Sequence, residues 1–106
     1  MIKEKGGNYK RIFCRYIVYV ESSNREIIIH MEDGSEIVSY AKLNKAEEEL
    51  PAKLFLRCHQ SYMINLYFVE ELERNTFYLP NAEIPISKKY QKIAREVYYD
   101  YMFEKV

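Results

Sequence analysis

The chain of 106 residues has no Trp, only two Cys, three Gly and three Pro, and no net charge. Each shortage removes a class of protein. Cys14 and Cys58 are too far apart for a C-x-x-C redox motif or a zinc knuckle, and they read as reduced, mostly packed thiols of a cytoplasmic protein. Gly6-Gly7 is the sole glycine pair, and it lacks the strand, helix and Lys context of a phosphate-cradling loop. No apolar run reaches the length of a membrane span, and no signal peptide is visible. Sixteen basic and sixteen acidic residues cancel, so the overall positive charge usual in a free-standing nucleic-acid binder is missing. Catalytic signals are equally thin. Cys58 and His59 are neighbours in a strand pattern, so their side chains point to opposite faces and cannot pair as nucleophile and base. A redox role for Cys58 would need thiolate character. No cofactor or metal is implied.

What is present is tyrosine, eleven of them, a residue suited to half-buried strands because its ring packs while its hydroxyl stays wet. Residues 1–8 read as a flexible lead-in and residues 9–106 as one domain. Residues 9–21, rich in Ile, Val, Phe and Tyr, predict one or two strands, and Ser22-Ser23-Asn24-Arg25 a turn. A strand over 26–32, the hairpin signal Asp33-Gly34 and a return strand over 35–40 follow. Residues 41–50 carry Leu43, Ala46 and Leu50 at helical spacing, with Glu47-Glu48-Glu49 as the solvated face and Pro51 as the stop. Residues 54–59 return to strand, and 62–65 suggest a single helical turn. Strands over 68–72, 76–79 and 83–86 come next. Ser87 is placed to N-cap a helix over 88–103, whose Tyr90, Ile93, Ala94, Val97, Tyr98, Tyr101 and Met102 form an apolar stripe of core or interface. Short strands, tight turns and little helix predict a mainly β domain of antiparallel sheets with a C-terminal helix. The lack of long βαβ spacing argues against a parallel nucleotide-binding sheet.

Three polar corners carry donors of the kind that contact DNA: residues 22–25, with Ser23, Asn24 and Arg25; residues 57–61, with His59, Gln60 and Ser61; and Ser87, Lys88 and Lys89. The third lies at a helix start, where free N–H groups and the dipole favour an anion, and where two cations are unfavourable without one. Residues 84–95 hold Lys88, Lys89, Lys92 and Arg95 and no acid, while acids gather at 47–49 and 70–73. A bipolar surface of this kind can offer one basic edge. The bland alternative is that Ser61 and Asn65 merely bond backbone in a capped turn and that the lysines are solvated. His59 and Asn65 read as architectural as much as functional, and Arg57 as a brace.

The ordered series Y-I-V-Y-V-E-S-S-N, L-x-x-A-E-E-E-L-P, F-L-R-C-H-Q-S-Y-M-I-N and I-P-I-S-K-K-Y, spanning about residues 9–93, resembles the LytTR DNA-binding domain, the output half of many bacterial response regulators. The resemblance implies an elongated fold of stacked antiparallel sheets with short helices. It implies sequence-specific binding of double-stranded promoter DNA by loops that enter the major groove and bend the duplex, without catalysis. A receiver domain in the full-length protein and weak or DNA-dependent homodimers are implied as well. Gln60 stands in H-x-S where members often carry Arg or Asn, and Lys88 follows P-I-S where Arg is frequent. An amide at 60 favours adenine over guanine, and Lys at 88 gives up the fork of Arg, so that it favours phosphate. The rival reading is a protein-interaction module docking a partner through the Tyr-rich C-terminal helix.

Overall fold

Alternation of apolar and polar residues builds the central sheet. The computed structural model describes residues 2–104, with side chains through 103. Met1, Lys105 and Val106, at the ends of the expected lead-in and domain, lie outside the described residues. A short hairpin, β1 (Ile2–Lys3) and β2 (Tyr9–Lys10), comes first. Five antiparallel strands follow: β3 (Ile17–Ser23), β4 (Glu26–Met31), β5 (Glu36–Tyr40), β6 (Phe55–His59) and β7 (Tyr62–Asn65), in spatial order β5-β4-β3-β7-β6. Helix α1 (Leu43–Glu49) joins β5 to β6. A three-stranded sheet, β8 (Glu71–Glu73), β9 (Thr76–Leu79) and β10 (Ala82–Pro85), precedes helix α2 (Gln91–Glu104). The molecule measures 39 × 28 × 25 Å. No helix among the described residues is long and apolar enough to cross a membrane.

The two faces of the central sheet feed two cores. One face sends Val20, Ile27, Ile29 and Met63 against Leu43 and Ala46 of α1. The other sends Val18, Leu56 and Ile64 against Phe77 and Ile84 of the small sheet and Ala94 of α2. Helix α1 has seven residues and no side-chain cap at Lys42. A helix so short does not hold by propensity. Burial of Leu43, at about 1.5–3 kcal/mol for such a side chain, is what seats it.

Several local readings change. Residues 62–65 form the strand β7, not a helical turn. Met63 enters one core and Ile64 the other, so the period-two pattern is hidden by two apolar faces. The helical turn comes just after, as a 3-10 turn at Leu66–Phe68. The strand expected from 68 therefore starts only at Glu71. Within 9–21 a 3-10 turn at Cys14–Tyr16 separates β2 from β3. Residues 2–8, within the stretch read as a lead-in, hold β1 and the turn of the β1–β2 hairpin, which lies against the open edge of β5. Lys5 N–H donates to Val38 O at 2.7 Å, and Ser39 Oγ donates to Lys3 O at 2.7 Å.

Asn65 ties the end of β7 down. Its side chain is fully buried; Nδ2 donates to Ile17 O at 2.7 Å, and Oδ1 accepts from Tyr67 N–H at 2.9 Å. Asn65→Ala strands both backbone groups. We expect a loss of roughly 2–3 kcal/mol, read as a lower urea midpoint at unchanged slope. A loss under about 0.5 kcal/mol would show that the amide is dispensable.

Candidate nucleic-acid interface

Two hairpin turns and one helix start form the candidate site, and the sheet fixes where each one falls. Strand β3 passes into β4 through Asn24 and Arg25, with Ser23 opposite Glu26. Asn24 takes φ 57, a left-handed conformation that Asn tolerates better than most residues. Strand β6 passes into β7 through Gln60 and Ser61, with His59 opposite Tyr62. Because β7 lies between β3 and β6, both turns emerge at the same end of the sheet. Ser22 N–H donates to Ser61 O at 2.9 Å and joins them. The third corner is tied to β6 by Ser87 N–H, which donates to Cys58 O at 3.1 Å. All three predicted corners thus meet at one end. Asn24, Arg25, Gln60, Lys88 and Lys89 are exposed there, and Ser23, His59, Ser61 and Ser87 are half-buried.

Arg57 sets the shape of the middle corner. Its Nε donates to His59 O at 2.7 Å and its Nη2 to Gln60 O at 2.6 Å, while Nη1 reaches Asn44 Oδ1 at 2.9 Å and Glu47 Oε1 at 3.0 Å. A planar fork suits four such acceptors, where a Lys ammonium would not reach them all. The side chain is only 9% exposed. Two turn carbonyls are thereby drawn inward, while Gln60 faces solvent. The brace read from the sequence is present; its anchors on α1, Asn44 and Glu47, are not visible there, because the acidic run reads as solvated. His59 Nδ1 accepts from Ser61 N–H at 3.0 Å, which in a neutral ring leaves the proton on Nε2. A bulge between Arg57 and His59 brings the imidazole within 5.2 Å of the Tyr62 ring.

The charges divide unevenly. Glu26 is held by Lys5 at 2.6 Å, Glu47 by Arg57 and Glu21 by His30 at 2.7 Å. Among the described residues, Arg25, Lys88 and Lys89 have no ion-pair partner. Lys5 and Arg57 thus each face an acid within the fold, and the three cations at the corners are left for an outside anion. Ser87 differs from its expected role: its side chain makes no cap bond, and the helix opens as a 3-10 turn, Lys88–Tyr90, with Tyr90 N–H donating to Ser87 O at 2.9 Å. The backbone of Ser87 keeps the extended conformation of an N-cap residue, at φ −71 and ψ 155, and its amide donates to Cys58 O. Cys58 itself is fully buried. Burial pushes its thiol up to about 12, against the opposing charge of Arg57, so it lacks the thiolate character of a redox sensor. Its Sγ faces the carbonyls of Tyr62 and Pro85 at 3.9 and 4.0 Å.

The LytTr DNA-binding domain family model matches residues 7–98. The chain belongs to the LytTR family of DNA-binding domains. The fold agrees with a solved LytTr DNA-binding domain from Bacillus cereus, at TM-score 0.76 over 91% of this chain and 92% of that one. Identity there is 22%, so the likeness concerns the fold alone. The LytTR domain is also similar to the transcriptional regulatory protein NatR of Bacillus subtilis, 32% identical over 60 residues that make up 57% of this chain and 25% of that protein. It is 29% identical to the sensory transduction protein LytT of Enterococcus faecalis over 87 residues, 76% of this chain and 35% of that protein. The chain therefore spans a quarter to about a third of the length of these curated relatives.

Arg57→Lys keeps the charge of the LytTR brace and removes its fork. We expect a stability loss of about 2 kcal/mol, together with faster amide hydrogen exchange at Gln60 and Ser61 but not at Ile64. Unchanged exchange at the turn would show that the fork does not shape it.

Proposed function

We propose that this LytTR domain binds double-stranded promoter DNA sequence-specifically, as the output domain of a bacterial response regulator in the cytoplasm. The three joined corners enter the major groove and bend the duplex. The observation that carries this reading is the pair of backbone bonds, Ser22 to Ser61 and Ser87 to Cys58, that gathers the corners at one end with Gln60 and Lys88 exposed. Lys88, Lys89 and Arg25 contact phosphates. Gln60 reads a base edge, with adenine as its best bidentate partner, and Asn24 or Arg25 adds a second contact. His59 offers its Nε2 proton, and Ser23, Ser61 and Ser87 supply hydroxyls to the backbone or to bridging water.

No catalytic step is assigned to these residues. The full-length protein carries a receiver domain, and pairing of LytTR domains is weak or depends on DNA. A protein contact by α2 is a second reading, supported by the exposure of Ile93, Tyr99, Met102 and Phe103. Electrophoretic shifts with promoter and scrambled duplexes at two salt concentrations separate the two. Sequence-selective, salt-sensitive retardation supports the DNA reading, and retardation of neither duplex removes it.

Two substitutions test the assigned roles. Lys88→Ala is expected to weaken binding on every sequence and to reduce the slope of log affinity against log salt by about one. An unchanged slope would remove Lys88 from the phosphate contacts. Gln60→Ala is expected to cost about 1–3 kcal/mol on the specific site and to relax one base position. An equal loss on random DNA would mean that Gln60 only positions the turn.

A further inference from the structure

A cavity of about 230 Å³ lies between α1, the central sheet and the N-terminal hairpin. Its walls are apolar, with Ile12, Ile17, Ile29, Ala46 and Leu50 among them. An apolar cavity of about 150 Å³ accepts a benzene ring, so this one has room for a short acyl chain or a small aromatic body. Its polar boundary is formed by Lys3, Lys45, Glu49 and Ser39. The two lysines outweigh the one carboxylate. Lys45 and Glu49 lie 3.7 Å apart with both side chains about two-thirds exposed, a weak pair that leaves Lys45 able to take another anion. Ser39 already donates to Lys3 O.

The same helix has a second allegiance. Lys45, Ala46, Glu49 and Leu50 border the cavity, whereas Asn44 and Glu47 hold Arg57. At 100° per residue these two sets lie on opposite sides of α1. Whatever moves α1 away from the cavity shifts Asn44 and Glu47 out of register with the guanidinium that holds the carbonyls of His59 and Gln60. Helix α1 is short, uncapped at Lys42 and seated by Leu43 and Ala46, so it is the element best able to shift.

We propose that this cavity binds a small amphiphile, a short apolar body with one anionic head, and that its occupancy weakens DNA binding through α1 and Arg57. The body lies against Ile12, Ile17 and Ala46, and the head meets Lys3 and Lys45. The wedge displaces α1, and the Asn44 and Glu47 bonds to Arg57 are made only when α1 is fully seated. These are the differential contacts that a coupling between two sites requires. The coupling rests on the reading of the Gln60 turn as a DNA contact; the site itself does not.

Cys14 borders the cavity and is partly exposed, while Cys58 is buried, so a thiol reagent reports occupancy at one position. Octanoate serves as the probe, with octanamide as its neutral counterpart. At twice its Kd, octanoate is expected to slow alkylation of Cys14 by iodoacetamide about threefold, since protection scales as one plus the ratio of ligand to Kd. At saturating concentration it is also expected to weaken binding to the specific duplex roughly fivefold or more. Lys45→Glu, at an exposed position, should abolish the protection with an unchanged melting midpoint, and Ala46→Phe should do so by filling the space. No protection of Cys14 overturns the site. Equal protection by octanamide overturns the anionic head. Protection with unchanged DNA affinity overturns the coupling. A protein that retards no DNA fails the proposed function, and Cys14 protection then decides the site by itself.

Discussion

One guanidinium holds the reading end in shape. Arg57 sits on a strand, yet three of its nitrogens reach two turn carbonyls and two side chains of a helix ten to thirteen residues away in sequence. Without it the carbonyls of His59 and Gln60 would turn to water, and the two-residue turn would sample several conformations. The brace is also well placed energetically. An ion pair stripped of water on both sides often returns less than its desolvation costs. Here the carboxylate of Glu47 is 48% exposed and keeps part of its hydration. The guanidinium, nearly covered, is satisfied by neutral carbonyls as well as by charge.

The neutral total charge hides a partition. Lys5 and Arg57 each sit against an acid, whereas Arg25, Lys88 and Lys89 at the joined corners have no ion-pair partner among the described residues. At physiological salt the Debye length is about 8 Å, so an arriving phosphate responds to the local set of charges and not to the sum over the chain. A zero sum is therefore compatible with a gripping end. It also limits the non-specific attraction that a uniformly basic domain would have for any polyanion.

Much of this was readable from sequence wherever the signal is local. The hairpin turns at Asn24-Arg25 and Asp33-Gly34 announce themselves by turn chemistry, and α1 by its apolar spacing and Pro51. The three corners could be named one by one, and the ordered motifs gave their family. Where the reading failed, distant partners decide the outcome. Tyr62 to Asn65 reads as a helical turn because a strand buried on both faces shows no alternation, and only the flanking strands β3 and β6 reveal it. Ser87 stands at the N-cap position as read, but the turn it opens is 3-10 and its side chain makes no cap bond, while its amide ties the corner to Cys58 on another strand. Glu47 belongs to an acidic run whose other members are ordinary solvated side chains, and its link to Arg57 exists only after α1 has docked. Gly6-Gly7 suggests slack chain, and the hairpin around it depends on the vacant edge of β5.

That hairpin has a bearing on where the folded unit starts. The family match begins at residue 7, but β1 lies at residues 2 and 3, outside it. A fragment trimmed to the family boundary would strip Lys5 from Val38 and leave β5 with a bare, pairing-competent margin, the kind that recruits strands from neighbouring molecules and ends in aggregates. The same trimming would take away Ile2 and Lys3 and unroof the space under α1. A strand edge that needs covering thus ties residues 2–5 to the folded unit.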